Sequence, residues 1–205
     1  DLGEQVGSFQ VVRYARDAGW WMPVEARAVV FPLTQREFRA EDDPCDKPQF
    51  IPDAVLPEPL RSEFLKGLKA DGPLRGPYGI RLVYRGQAAQ MQEAFERVAE
   101  QMALCAGDVS FREEGHEGRV QVRMLDLAEV GDEQVAARVS DVGPNMSGVG
   151  WTAQYYWIGF ARDGDTLAAV QLRERWEGTG AEDWPEQYPQ PTLAEHAEKA
   201  LEVEV

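Results

Sequence analysis

The 205-residue sequence predicts an α+β domain, in which a mainly antiparallel sheet carries helices packed on one face and is stapled by one disulfide. Three observations lead to this prediction. A single helical stripe of apolar residues lies near the middle of the chain, alternating strand patterns follow it, and the connections between those strands are too short for parallel crossovers.

The first 79 residues carry weaker patterns than the rest. Residues 9–15 and 26–33 are strand-like and predict a hairpin, and the proline-rich, acidic stretch 41–59 predicts an irregular surface loop. Leu60, Phe64, Leu65 and Leu68 recur at helical spacing and predict a short helix that ends before residues 71–73.

The remaining elements follow in a clear order. Residues 80–84 predict a strand, and a five-turn helix that ends near Gly107 follows, with Ala88, Met91, Phe95, Val98, Met102 and Cys105 on its apolar stripe. Alternation predicts strands around 120–124 and 135–139, whose even-numbered and odd-numbered residues face opposite sides.

The end of the chain predicts a hairpin and a helix. Residues 152–161 and 166–175 flank an Asp-Gly turn, and the first of these strands is aromatic on both faces, so we expect it to be covered on both sides. Thr192 and Glu195 form a capping box that predicts the start of the last helix. We therefore expect one domain over 1–205, with an N-terminal hairpin and loop region (1–79) and a helix-plus-meander core (80–205).

Composition excludes several classes of function. The chain has 36 acidic and 21 basic residues, a net charge of −15, which disfavours binding to nucleic acid or to an anionic membrane surface. No stretch approaches the roughly 20 apolar residues needed to span a bilayer. Because the sequence starts at Asp1 without methionine, we expect a mature form from which an export signal or lipid anchor has been removed.

Two cysteines, Cys45 and Cys105, are the most informative pair in the sequence. They are isolated from histidines and lack a Cys-x-x-Cys spacing, so zinc binding and redox catalysis are poor explanations. We favour a disulfide over two buried free thiols. A disulfide would tie the acidic loop to the core end of the long helix and would indicate an oxidising compartment.

Residues with catalytic or metal-binding chemistry do not form a known pattern. His116 and His196 are each expected to be solvent-exposed, and the acidic run from Glu41 to Asp46 lacks an EF-hand spacing for calcium. The glycine-rich loop 143–150 lacks the lysine of a phosphate-binding loop and the spacing of a nucleophile elbow. We therefore expect no catalytic residues, no metal and no cofactor.

The aromatic residues are the candidate ligand-binding groups. Tryptophan and tyrosine combine an apolar ring with one polar group, which suits a sugar-stacking or apolar cleft, although core packing is the first explanation for the aromatics in strands. The candidate ligand-binding residues are Trp20, Trp21, Trp151, Tyr155 and Trp157.

Three segments carry a resemblance to a known family. They are Leu104-Cys105-Ala106-Gly107, the strand start at 131–136, and a last helix of the type Ala-x-x-Ala-Glu-Lys-Ala. In this order the sequence resembles the PknH-like extracytoplasmic sensor domains of actinobacteria, a family that includes secreted lipoproteins. The resemblance covers about 80–205 and implies an antiparallel sheet with a disulfide-stabilised cleft for an extracellular ligand and no catalysis. The kinase sensor domains carry two disulfides, whereas this chain can form one.

These expectations together predict a non-enzymatic, extracytoplasmic sensor-like or lipoprotein domain, secreted or anchored to the outer face of the cell membrane. Its partner would be an unknown small or glycan-like envelope ligand. A protein-interaction module at the cell surface, whose acidic face docks a basic protein, is the alternative, and a secreted hydrolase is the third possibility.

Overall fold

A computed structural model describes residues 5–6, 9–12, 59–67, 78–113, 116–144, 151–178 and 190–201. The helices are α1 (Ala88–Leu104) and α2 (Gln190–Leu201). The strands are β1 (Gln5–Val6), β2 (Phe9–Val12), β3 (Arg61–Gly67), β4 (Tyr78–Arg85), β5 (Gly107–Glu113), β6 (His116–Leu125), β7 (Glu133–Pro144), β8 (Trp151–Asp163) and β9 (Thr166–Gly178).

All of these strands belong to one antiparallel sheet with the order β1-β2-β3-β4-β9-β8-β7-β6-β5. Helix α1 carries the chain from β4 to the far edge, where β5 begins, and the meander β5 to β9 then returns until β9 pairs with β4. The predicted antiparallel α+β class is confirmed. Strands β1 to β3, which come from the first 79 residues, extend the same sheet.

The middle of the sheet, around β4, β9 and β8, is buried on both faces. Side chains of one parity, including Leu82, Ile158 and Phe160, pack with α1, and we call this side the α1 face. Side chains of the other parity, including Trp157 and Leu172, pack with Ala197 of α2, and we call this side the α2 face. Strand β8 lies between β7 and β9, and residues 155–161 are buried, as its two aromatic faces predicted.

The prediction that the helices pack on one face is wrong. Helix α1 contacts β7, β8 and β9 on one side, whereas α2 contacts β4, β8 and β9 on the other. A sheet with apolar side chains of both parities must cover both faces to keep them from water, and one helix covers each. The α2 face is lined with small residues under the helix, which lets α2 approach closely: Ala136, Gly159, Ala161, Ala168 and Val170.

The short helix predicted around Leu60 to Leu68 is also wrong. Residues 61–67 form β3, which pairs with β2 on one side and β4 on the other. Neighbouring strands therefore satisfy its backbone hydrogen bonds, and tertiary pairing overrides a short helical spacing.

The helix ends differ slightly from the predictions. Helix α1 ends at Leu104 with Cys105 as its cap, and the Cys105 amide donates to the Gln101 carbonyl at 3.0 Å. Helix α2 begins at Gln190, two residues before Thr192, so the predicted capping position lies inside the helix.

A polar network joins the β8–β9 turn to the start of β7. Gly131 has φ of +66°, a conformation that favours glycine, and the Asp132 amide donates to the Arg162 carbonyl at 2.7 Å. The Arg162 guanidinium donates to Glu133 at 2.8 Å, and the Gly164 amide donates to Asp132 at 3.0 Å. These hydrogen bonds fix the turn between β8 and β9 to the loop between β6 and β7.

Candidate functional site

The α2 face carries two groups of polar residues, one buried and one partly exposed. The buried group is Glu63, Arg81 and His196, each at most 3% exposed. We call it the buried polar cluster. The second group lies on β6, β7 and β8, beside the aromatic residues that the sequence singles out.

An ion pair between neighbouring strands forms the centre of the buried polar cluster. Glu63 of β3 and Arg81 of β4 are direct cross-strand partners on the α2 face. The Arg81 Nε donates to Glu63 Oε2 at 2.6 Å, and the Arg81 Nη2 lies 2.5 Å from the same oxygen. Arg61 Nη2 contacts the other carboxylate oxygen, so Glu63 lies between two guanidinium groups. Two cations around one carboxylate compensate the loss of its hydration.

His196 of α2 completes the buried polar cluster and corrects the prediction that it would be exposed. Its side chain is 0% exposed. Burial, and secondarily the charge of Arg81, lower the pKa of His196 from 6.5 to about 3, so the imidazole is neutral at neutral pH. A signal for this burial was present in the sequence, because His196 lies three residues after Leu193 and four before Ala200 on the apolar side of the helix.

Burial determines what this cluster can do. Arg81 and His196 have almost no surface in contact with solvent, and the Arg81 guanidinium is bound to Glu63. A histidine whose pKa is about 3 is a poor proton acceptor at neutral pH. The arrangement therefore places a neutral histidine of α2 beside the ion pair that joins β3 and β4.

The second group forms two cross-strand rows on the α2 face. One row contains Gln121, Ser140 and Tyr155, and the next contains Arg123, Arg138 and Trp157. Exposure falls along the second row, from exposed Arg123 through half-buried Arg138 to buried Trp157. We call these six residues the aromatic–arginine shelf. The shelf places hydrogen-bonding and cationic groups at the solvent side of an aromatic pair.

The aromatic pair of the shelf contains two of the five predicted ligand-binding residues. The rings of Tyr155 and Trp157 are 5.9 Å apart between centroids and tilted by 31°, and these residues are 7% and 5% exposed. They pack in the apolar core beneath α2, so they form the floor of the shelf rather than an open stacking surface. Trp20 and Trp21 lie outside the described residues, and Trp151 is described as the first residue of β8 without its side chain.

An arginine also contacts an aromatic ring on the opposite face. Arg173 of β9 lies over the ring of Tyr156, with 5.2 Å between its guanidinium carbon and the ring centroid. This distance is within the range of a cation–π interaction. The sequence alone did not indicate this contact, because only the register of β8 and β9 brings the two residues together.

Cys105 is buried at the end of α1 and packs in the core of the α1 face. This is where the apolar stripe of the helix placed it. The predicted partner, Cys45, lies outside the described residues, so their disulfide stays a prediction.

The described part of the chain contains neither a grouped set of metal ligands nor a helix of membrane-spanning character. There, no three histidine, cysteine, aspartate or glutamate residues group as a metal site would require. No helix among those residues is long and apolar enough to cross a bilayer. The acidic run from Glu41 to Asp46, considered above for calcium, lies outside the described residues.

Comparisons with known proteins give little further assignment. No family model matches the sequence, and no curated protein is similar to it. Among solved structures, the chain is similar to the extracellular domain of PknH from Mycobacterium tuberculosis, with 12% identity and a TM-score of 0.38. The match covers 68% of this chain and 63% of that domain. A likeness at this level assigns neither a family nor a function.

Proposed function

We propose that this chain is a non-enzymatic, extracytoplasmic ligand-binding domain of the sensor or lipoprotein type, which binds a small, glycan-like envelope ligand on the α2 face. The observation that carries the proposal is the aromatic–arginine shelf, because it combines an aromatic floor with amide, hydroxyl and guanidinium groups. Sites for small ligands commonly combine an apolar wall with a few polar groups that orient the ligand.

The absence of catalysis is part of the same proposal. The polar residues with the strongest mutual contacts, Glu63 and Arg81, are buried and bound to each other, and the nearby His196 has a pKa lowered to about 3. The accessible polar side chains of the shelf are arginine, glutamine and serine. Their chemistry suits hydrogen bonding to a ligand better than proton transfer at neutral pH.

A direct binding experiment tests the proposed function. Neutral and acidic envelope oligosaccharides would be titrated into the protein by isothermal titration calorimetry, with tryptophan fluorescence as a second readout. Ser140→Ala on the shelf should weaken binding, while Ser62→Ala on the α1 face of β3 serves as a matched control. Absence of binding by every glycan class would overturn the proposal, as would salt-sensitive capture of a basic protein partner in place of glycan binding.

We further propose that Cys45 and Cys105 form a disulfide, consistent with an extracytoplasmic site. Support comes from the buried position of Cys105 at the end of α1. The bond would close a loop of about 60 residues and stabilise the fold by about 4 kcal/mol. Unfolded, unreduced protein should contain no reactive thiols, and reduction should lower the midpoint of denaturant unfolding. Two reactive thiols in the unreduced sample would contradict the pairing.

A further inference from the structure

Two arginines face each other across the shelf. Arg123 of β6 and Arg138 of β7 are direct cross-strand partners, and both lie on the α2 face. Like charges at directly opposite positions of a sheet destabilise it. In a chain with 36 acidic residues, this pair places two positive charges side by side. In the neighbouring row, Asp108 of β5 pairs with Gln121 and Glu174 of β9 pairs with Tyr155.

Other arginines of the described residues show what such a group binds. Arg85, Arg97 and Arg162 each pair with a carboxylate of Asp or Glu. The closest parallel lies on the same face, where Arg61 and Arg81 bracket the carboxylate of Glu63. The fold therefore already contains one carboxylate between two arginines, and the shelf offers a second pair of arginines near solvent.

The surroundings of the pair narrow the chemistry of a ligand. Trp157 continues the same row with an apolar ring, and Gln121 and Ser140 add an amide and a hydroxyl in the next row. Arg138 is half-buried and engaged within the protein, yet a guanidinium has five N–H donors and can hold an internal contact and a ligand at once. Arg123 is exposed and is the group that a ligand would meet first.

We propose that the aromatic–arginine shelf binds a sugar that carries a carboxylate, with Arg123 and Arg138 holding the carboxylate and with Gln121 and Ser140 contacting hydroxyl groups. Planar guanidinium groups bind carboxylates through paired hydrogen bonds. This inference rests on the proposed function and names its ligand class. Because the net charge of −15 repels long polyanions, the ligand is a short acidic saccharide rather than a polyanionic chain.

The test compares a disaccharide that contains glucuronic acid with its carboxyl-reduced, neutral counterpart, using calorimetry on the full chain. The acidic form should bind at least tenfold more tightly. Arg123→Gln and Arg138→Gln should each weaken acidic binding by roughly 10- to 100-fold, the loss expected for a hydrogen bond to a charged group. Arg97→Gln, an exposed arginine of α1, is the matched control and should leave binding unchanged.

The outcomes separate this inference from the broader one. Equal binding of both disaccharides, insensitive to Arg123→Gln, would overturn the carboxylate assignment and leave the glycan-binding function standing. Equally tight binding of inorganic phosphate that is lost in Arg123→Gln would also overturn it, because a general anion site would then explain the pair. No binding of any saccharide would overturn both. Because Arg123 is exposed, loss of folding is not expected in its variant, and circular dichroism checks this.

Discussion

The two faces of the sheet are buried by different means. On the α1 face, Met91, Val98 and Met102 of the helix pack against apolar side chains of the strands, and the contact depends on shape and apolar area. On the α2 face, a small apolar surface under the helix adjoins the buried Glu63–Arg81 pair and His196. The difference shows that one sheet can be covered by packing alone on one side and by packing plus compensated charge on the other.

The difference has a consequence for mutation. An apolar contact loses free energy in proportion to the atoms removed, whereas a buried ion pair tolerates the loss of both partners better than the loss of one. Substitutions on the α2 face should therefore change the free energy of unfolding non-additively and in a way that depends on pH. Substitutions on the α1 face should have additive effects that do not depend on pH.

The largest effect is expected from breaking the buried ion pair. Arg81→Met leaves the Glu63 carboxylate without its main partner and should lower the free energy of unfolding by about 3–5 kcal/mol. The double variant Arg81→Met with Glu63→Leu should recover a large part of that loss, because no uncompensated charge remains. Denaturant unfolding measures both. Additive effects of the two substitutions would show that the pair does not act as a unit.

The corresponding substitution on the α1 face concerns the next residue of the same strand. Leu82 is 0% exposed in the core beneath α1, and Leu82→Ala should cost about 2–5 kcal/mol through lost contacts and a cavity. Urea unfolding at pH 7 and pH 4.5 should show the same cost at both. A cost that changes strongly with pH would mean that the two faces are coupled.

A smaller effect concerns the protonation of His196. Its pKa is about 3 in the folded protein and 6.5 as the reference for the unfolded chain, so the unfolded chain binds more protons between these values. The resulting stabilisation is complete above pH 6.5 and is lost as the pH falls toward 3. Between pH 6 and pH 4.5 the loss from this group should be about 2 kcal/mol.

Comparison of variants isolates the contribution of His196 from that of the carboxylates. His196→Gln should flatten the pH dependence of the free energy of unfolding by that amount. Glu198→Gln, on the exposed side of the same helix, should retain the wild-type slope in this range. If His196→Gln and wild type show parallel slopes, the histidine does not titrate with the fold.

The smallest difference is expected between substitutions of two glycines with positive φ. A Cβ at Gly131, where φ is +66°, would lie 2.5 Å from the Arg162 carbonyl oxygen and 3.0 Å from Leu201 of α2. At Gly164, with φ of +55°, it would meet nothing within 4 Å. Alanine at Gly164 should cost about 1 kcal/mol, and alanine at Gly131 about 2–3 kcal/mol because steric contact adds to backbone strain. Thermal unfolding of the two variants measures both costs. Equal costs would show that the Arg162 carbonyl and the Leu201 side chain move aside without loss of stability.

Much of the fold followed from local patterns, and the errors have two origins. The sequence predicted helix α1 correctly from the stripe of Met91 to Met102, and it predicted β6, β7 and β8 correctly from their alternation. Each of these patterns is complete within its own segment. The helix predicted around Leu65 failed because pairing with β2 and β4 determines that segment. The exposure predicted for His196 was wrong for a different reason, because the residue lies on the apolar side of α2 and its burial follows from that spacing.

The candidate site divides in the same way. The sequence predicted Tyr155 and Trp157 as one aromatic face of a strand, and it placed Gln121 and Arg123 together on one side of another. It did not indicate that Arg138 lies between Arg123 and Trp157, because that requires the register of three strands.

By itself the sequence determined the type of most elements, the antiparallel class, the acidic character and the two-sided burial of β8. Only the tertiary structure decided the strand order, the opposite placement of α1 and α2, the Glu63–Arg81 pair and the two rows of the shelf. The physical reason is the separation along the chain between the residues that make each contact. Periodicity records how one segment meets its surroundings, whereas strand partners and helix faces arise from contacts between residues far apart in the chain, which no local pattern encodes.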